Sequence, residues 1–202
     1  MTSVAAPPLA RPQLTAPRLR RWTKAEYYKM WELGWFEFQR VELLDGEIVE
    51  MPNPGPPHCI SLDKVDEALI AIFPRHCHWL RMQMPLDLGL DVEPQPDLAV
   101  ADGPRAAFPT HPTTALLVVE ISDSTLSIDR GRKAGIYARG GIADYWIVNV
   151  NSRQLEIRRR PVADPTAPEG HRYDDITILG EADSASPLAA PQAVIRVADL
   201  LP

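Results

Sequence analysis

A glutamate within an apolar segment constrains this chain more than any other feature. Glu120 interrupts the run LLVVEI at residues 116–121, a pattern typical of a strand that is buried on both faces. An ionised carboxylate in such a strand is costly unless it is paired, protonated or bound to a cation. We therefore expect a compensating group close to Glu120, contributed by another part of the chain.

Helical and strand patterns alternate along the 202 residues. Thr23 and Glu26 have the spacing of a capping box, and Asp45-Gly46 is a strong signal for a hairpin turn. The predicted elements, in chain order, are a helix at 23–34, a hairpin at 38–51, a helix at 58–73, strands at 78–83, 96–102 and 115–122, a helix at 127–139, strands at 144–150 and 153–160, a proline-rich loop at 161–168, and weaker strands at 172–179 and 193–197. This order predicts an α/β fold with a mixed central β-sheet flanked by helices.

The N-terminal region differs from the rest of the chain in composition. Residues 1–20 are rich in proline and show no apolar periodicity, so we expect a disordered arm that the fold does not need. Residues 21–202 then form a single domain. Its length is sufficient for one sizeable core.

Composition excludes several classes of protein. The sequence has no apolar run near the roughly 20 residues of a membrane span and no signal-peptide core, so no membrane association is expected. Its two cysteines form neither a disulfide framework nor a zinc site, which favours a cytoplasmic location. The net charge of −6 argues against a protein that coats nucleic acid, but not against an enzyme that acts on it with one basic face.

Two acidic residues and one lysine form the candidate site. Asp97 in QPDLAV and Glu120 lie on consecutive predicted strands, and Lys133 follows on the next helix. Two carboxylates on adjacent strands can hold a hard cation such as Mg²⁺, which activates water, while a lysine stabilises charge on a phosphate. Each residue also has an ordinary explanation: Asp97 as the start of a strand, Glu120 in an ion pair with an arginine, and Lys133 as a solvated side chain.

The ordered motifs resemble a known group of nucleases. The sequence "PD", an acidic residue within the next strand and a nearby lysine are similar to the PD-(D/E)XK nuclease superfamily. More closely, VELLDGEIVEM, PDLAV, VVEISDST and DRGRKAGIYARGGIADYWIVN resemble the Uma-type family of bacterial restriction endonucleases, over residues 23–160. The resemblance implies a restriction endonuclease-like core.

The resemblance also implies roles for individual residues. Asp97 and Glu120 would bind the metal, and Lys133 would be the catalytic lysine. Ser122 stands where the superfamily usually has its lysine, and in the Uma-type branch that lysine is displaced to the following helix, as Lys133 is here. Glu42 and His58 match family residues that would support the site.

Three functional hypotheses follow. The first is an endonuclease that depends on Mg²⁺ or Mn²⁺, hydrolyses phosphodiester bonds in DNA and works as a homodimer, because cutting two strands needs two sites. The second is a catalytically inactive binding or regulatory module that keeps the nuclease fold. The third, a sugar or nucleotide hydrolase with paired carboxylates, is less favoured because no second acid stands at a recognisable spacing from Glu120.

Overall fold

A six-stranded mixed sheet is the centre of the computed structural model, which describes residues 16–89 and 91–202. Most of the predicted N-terminal arm, residues 1–15, lies outside the described residues. The helices are α1 (Lys24–Glu32), α2 (Pro56–Ile72), α3 (Leu126–Ile128) and α4 (Ala134–Arg139), with a π-helical turn, Asp129–Lys133, joining the last two. The strands are β1 (Val41–Leu44), β2 (Glu47–Glu50), β3 (His78–Met82), β4 (Leu98–Asp102), β5 (Leu117–Ser122), β6 (Asp144–Asn149), β7 (Gln154–Ala163), β8 (His171–Gly180), β9 (Ser184–Ala185) and β10 (Ile195–Arg196).

The central sheet has the order β3-β4-β5-β6-β7-β8. Only β5 and β6 are parallel, and the crossover between them contains α3, the π turn and α4. Every residue of β5 is buried. Its alternate residues belong to two cores, one that includes side chains of α2 and one that includes side chains of α4. The strand is therefore covered on both faces, as its apolar pattern predicts.

Local sequence signals explain the first elements. Thr23 caps α1, and the capping box with Glu26 is complete. In the hairpin of β1 and β2, Asp45 and Gly46 have φ angles of 49° and 73°, and these positive values suit an Asp-Gly turn. The α/β fold with a mixed central sheet flanked by helices is confirmed.

Two local predictions were wrong. The continuous helix expected at 127–139 is interrupted by the π turn, in which the Ala134 N–H donates to the Asp129 carbonyl. The loop expected at 161–168 begins later, because β7 extends to Ala163. Pro161 is tolerated there because pairing between β6 and β7 ends at Arg159, so the proline removes no hydrogen bond to β6.

No helix within the described ranges combines the length and apolar character needed to cross a bilayer.

Candidate active site

The pairing of β4 with β5 places Asp97 opposite Glu120. Leu98 pairs with Val119, so the preceding Asp97 lies beside Glu120 on the antiparallel strand. The backbone links the two carboxylates reciprocally: the Asp97 N–H donates to Glu120 Oε2 at 3.4 Å, and the Ile121 N–H donates to Asp97 Oδ2 at 2.8 Å. Both side chains are buried and line the same cavity. The predicted acidic pair is therefore brought together.

Lys133 compensates the charge of Glu120. Its Nζ lies 3.0 Å from Glu120 Oε1 and 3.0 Å from Glu42 Oε1. Lys133 is only 1% exposed, so its interpretation as a solvated lysine was wrong. The ion-pair partner of Glu120 is thus this lysine, and among the described residues no arginine lies within 4.0 Å of Glu120. Glu120 also accepts a hydrogen bond of 2.6 Å from the Tyr137 hydroxyl.

Both supporting residues lie at the site. Glu42, on β1, is 3% exposed, and its Oε2 accepts a hydrogen bond from the Gln95 N–H at 3.2 Å. His58, in the first turn of α2, places Nε2 3.2 Å from Asp97 Oδ1, but without the angle of a hydrogen bond. Glu42 and His58 thus join the acidic pair and Lys133 in one buried group.

Asp129 is a site residue that sequence reasoning missed. Its Oδ2 accepts hydrogen bonds from the hydroxyls of Ser122, at 2.7 Å, and Thr125, at 2.6 Å. Its Oδ1 is buried and has no hydrogen-bond partner in the described part of the chain. The signal was present, because Asp129 precedes Lys133 by four residues, about one helical turn.

The π turn carries both Asp129 and Lys133 into the cavity. π-helical turns are rare in proteins, and those that occur often lie at functional sites. Asp129 is held at the start of the turn by the Tyr145 hydroxyl, which donates to its carbonyl at 3.0 Å. The turn ends at Lys133 and continues into α4, which carries Tyr137. One short segment thus supplies three of the polar groups around Glu120.

The site contains more negative than positive groups. Four buried carboxylates, those of Glu42, Asp97, Glu120 and Asp129, surround the single ammonium of Lys133. Burial raises the pKa of Glu120 well above its usual value, although Lys133 opposes the shift. Burial alone would lower the pKa of Lys133, but the carboxylates outweigh it and raise that pKa. Lys133 is therefore an ammonium ion near neutral pH.

Burial and neighbouring groups also shift the pKa values of Asp129, Asp97 and His58. Burial raises the pKa of Asp129. Burial opposes the charged form of Asp97, but His58, the Ile121 N–H and Lys133 lower the pKa of Asp97 overall. Burial likewise disfavours the charged form of His58, and contact with Asp97 reverses this and raises the pKa of His58. Asp97 and His58 thus stabilise each other as an ion pair.

The donor set fits a hard divalent cation. Glu120 Oε2 and Asp97 Oδ1 each carry oxygen lone pairs that Lys133 does not use. Among the described residues, no cluster of three or more His, Cys, Asp or Glu side chains is arranged to bind a metal ion. Two carboxylates with water in the remaining positions suit Mg²⁺, which keeps much of its hydration. The cavity volume of about 20 Å³ corresponds to one water molecule.

Comparison with solved structures identifies a protein of the same fold. A crystal structure from Anabaena variabilis ATCC 29413, described as a "putative nuclease belonging to DUF820", matches with a TM-score of 0.62 and 15% sequence identity. The match covers 80% of this chain and 89% of that one. At this identity the likeness shows the shared fold.

The family follows from the sequence itself. The chain belongs to the Uma2 family, described as "Putative restriction endonuclease", whose model matches residues 25–198. The predicted resemblance is confirmed, but its expected end at residue 160 was too early. No curated protein matches the chain.

Proposed function

We propose that this chain is a metal-dependent endonuclease that hydrolyses phosphodiester bonds in DNA. The observation that carries the proposal is the position of Lys133 Nζ, 3.0 Å from both Glu42 and Glu120 in a buried cavity that Asp97 also lines. Membership of the Uma2 family and the likeness to a nuclease fold support it. The predicted catalytic set is Asp97, Glu120 and Lys133, with Glu42 and His58 in supporting roles.

Asp97 and Glu120 would hold the metal, Mg²⁺ or Mn²⁺. When bound, such an ion polarises a phosphate and lowers the pKa of its water. An excess of acidic groups supports this assignment, since four carboxylates face the ammonium of Lys133 and the imidazolium of His58. A divalent cation would remove most of this excess negative charge.

Lys133 would act as a donor rather than as a base. Its neighbours raise its pKa, so the ammonium keeps its proton near neutral pH. From this position Nζ can donate to a phosphate oxygen or orient the attacking water. Glu42 and Glu120 fix the position of Nζ by accepting its hydrogen bonds.

The remaining residues would keep the acidic groups in place. Tyr137 donates to Glu120 Oε1, which leaves Oε2 on the side of Asp97. His58 holds Asp97 in its ionised form. In the reaction, the oxygen of water forms a bond to phosphorus, the bond from phosphorus to one sugar oxygen breaks, and that oxygen takes up a proton while the water loses one.

A plasmid assay tests the proposal. Supercoiled plasmid is incubated with the protein and Mg²⁺ or Mn²⁺, with EDTA as the metal-free control. We expect nicking with metal and a loss of at least about 100-fold in Asp97→Asn and in Lys133→Ala. Lys29→Ala, an exposed lysine of α1, is the matched control and should cut normally.

Circular dichroism of each variant shows whether a loss of nicking reflects unfolding. Asp97→Asn preserves the size and shape of the side chain, so it tests the site even if Lys133→Ala fails to fold. Nicking that persists at the wild-type rate in a folded Asp97→Asn protein would contradict the assigned site.

The second candidate is a catalytically inactive module with the nuclease fold. One observation favours it: Lys133 is already bonded to two carboxylates in a cavity that holds only about 20 Å³. This candidate predicts DNA binding in a gel-shift assay without nicking under any metal condition. The endonuclease proposal predicts that DNA and metal together open the cavity.

The proposal includes a homodimer, because two copies related by a two-fold axis place one site on each DNA strand. Sedimentation equilibrium gives the oligomeric state directly. A protein that is monomeric with and without a DNA duplex, yet cuts both strands, would contradict this part of the proposal.

A further inference from the structure

A second buried cation lies on the edge strand β3. Arg81 is 1% exposed, and its guanidinium lies over the ring of Trp79, with Cζ 4.0 Å from the centroid. One of its nitrogens, Nη2, donates to the Pro85 carbonyl at 2.7 Å and lies 3.1 Å from His111 Nδ1. A buried arginine usually has an acidic partner. Within residues 16–89 and 91–202, no carboxylate lies within 4.0 Å of Arg81.

Two nitrogens of Arg81 have no acceptor. Nε and Nη1 are both buried and lack hydrogen-bond partners in the described part of the chain. Stacking on Trp79 uses the face of the guanidinium, so it leaves the N–H groups in the plane unsatisfied. Burial, with Arg105 nearby, lowers the pKa of Arg81 to about 10. The guanidinium thus lacks the anion that such a group normally binds.

The surroundings supply a second cation and an apolar wall. Arg105 is exposed, and its Cζ lies 4.5 Å from the centroid of the same Trp79 ring. Both arginines line an open cavity of about 440 Å³. The remaining lining includes Trp79, Met84 and Pro109. A bare anion is too small to fill this volume, which lies in the range of small-molecule sites.

We propose that this cavity binds the phosphate of a nucleotide through Arg81 and Arg105, with the sugar and base against Met84 and Pro109. Two guanidinium groups match the charge and the several oxygens of a phosphate, which arginine recognises by paired N–H donors. The free Nε and Nη1 of Arg81 are the groups that the phosphate would satisfy.

The nucleotide has two possible sources: a free nucleotide, or one residue of a nucleic-acid strand. Arg81 pairs with Ala99, two residues from Asp97 on β4, so both side chains face the same side of the sheet. This arrangement favours a strand that reaches both sites. Nucleotide binding here does not depend on nuclease activity, because the cavity shares no lining residue with the candidate active site.

Calorimetric titration in EDTA tests the proposal with three probes: thymidine 5′-monophosphate, the nucleoside thymidine, and a short oligothymidylate with a 5′-hydroxyl. We expect the monophosphate to bind saturably and thymidine to bind at least about tenfold more weakly. Arg105→Gln should weaken monophosphate binding by about tenfold, since it removes a charged donor. Arg196→Gln, an exposed arginine outside the cavity, is the matched control and should leave Kd unchanged.

Further variants separate the possible outcomes. Arg81→Met should remove monophosphate binding, and the exposed Arg105 keeps the test open if the buried change prevents folding. Asp97→Asn should bind the monophosphate normally, which distinguishes this cavity from the candidate active site. Oligothymidylate binding that also weakens in Arg105→Gln assigns the site to a strand, and insensitivity assigns it to free nucleotides. Absence of saturable binding, or equal binding by wild type and Arg105→Gln, would overturn the proposal.

Discussion

Lys133 and Arg81 are both almost completely buried cations beside the central sheet, yet their surroundings are opposite. Lys133 is surrounded by four carboxylates, two of them at 3.0 Å. Arg81 has no carboxylate within reach in the described residues and leaves two nitrogens without acceptors. The first region has an excess of negative charge and the second an excess of positive charge.

The difference shows that burial of a charge alone does not identify what a site binds. An acidic excess around an ammonium predicts a cation as the missing component, whereas an unpaired guanidinium predicts an anion. The free energy of unfolding should therefore respond very differently in the two regions when the buried cation is removed. Four predictions test this contrast, beginning with the largest effect.

Lys133→Met should lower the free energy of unfolding by about 3–5 kcal/mol, because it leaves several buried carboxylates without their counter-ion. Urea denaturation measures the change. Lys29→Met, on the exposed face of α1, is the control and should stay within about 0.5 kcal/mol of wild type. A loss below about 1 kcal/mol for Lys133→Met would mean that the carboxylates do not carry the proposed excess charge.

Glu120→Gln should remove most of the stabilisation by metal. Wild type should gain about 1.4 kcal/mol when free Mg²⁺ is roughly tenfold above Kd, and the variant should gain little. In EDTA the variant should melt at or above the wild-type temperature, because Gln still accepts hydrogen bonds and Lys133 keeps Glu42 as a partner.

The raised pKa of Glu120 gives the pH dependence of this effect. Stability contributed by its protonated form is present below pH 4.5 and is lost as pH rises through the folded-state pKa. The glutamine introduced by Glu120→Gln does not titrate, so the variant does not lose stability in this way. In EDTA its free energy of unfolding should therefore exceed that of wild type by a growing amount as pH rises above 4.5. Thermal melting at several pH values checks this, with the exposed Glu32→Gln as control. Equal stabilisation of both proteins by Mg²⁺ would show that Glu120 is not a metal ligand.

Arg81→Met should change the free energy of unfolding by no more than about 1 kcal/mol, in contrast to Lys133→Met. Loss of the hydrogen bond to Pro85 is offset by removal of a buried charge that has no acidic partner. Phosphate should raise the melting temperature of wild type and not of the variant. A large destabilisation without phosphate would mean that Arg81 is satisfied within the fold.

His58 should titrate with a pKa above 6.5, and Asp97→Asn should lower that pKa, because the Asp97 carboxylate stabilises the imidazolium. The stabilisation by His58 is complete below pH 6.5 and is lost as pH rises through its folded-state pKa. The stabilisation of the fold by the Asp97 carboxylate is present above pH 3.8 and is lost as pH falls through the lowered pKa of Asp97. NMR titration measures both, with His58→Gln for assignment. A His58 pKa that does not change in Asp97→Asn would show that the two side chains do not form an ion pair.

The sequence predicted the fold well where the causes are local. Thr23 with Glu26 and Asp45 with Gly46 act through a few neighbouring residues, and both features formed as expected. The continuous apolar run of β5 predicted a buried strand, and this strand is covered on both faces. The interruption of the helix at 127–139 could not be predicted, because Asp129 is held by contacts with Ser122 and Tyr145 from two different strands.

The site was predicted in part. Asp97, Glu120 and Lys133 were recognised, and they lie together, while their chemical roles stay predictions. The contact of Lys133 with Glu42 spans 91 residues and depends on how β1 packs against the sheet. Arg81 was missed although the reasoning applied to Glu120 would have found it, since Arg81 likewise lies between the apolar residues Leu80 and Met82.

The π turn makes this site sensitive to a deletion. A helix advances by about 100° per residue, so removal of one residue from 129–133 would restore regular α-helical winding and rotate the segment on one side of the turn by that angle. If α4 kept its place in the core, the Asp129 carboxylate would lose its hydrogen bond from Ser122. If α3 kept its place instead, the Lys133 ammonium would lose its contact with Glu120. Substitutions in this segment alter single contacts, whereas the loss of one residue would move either the Asp129 carboxylate or the Lys133 ammonium out of the cavity.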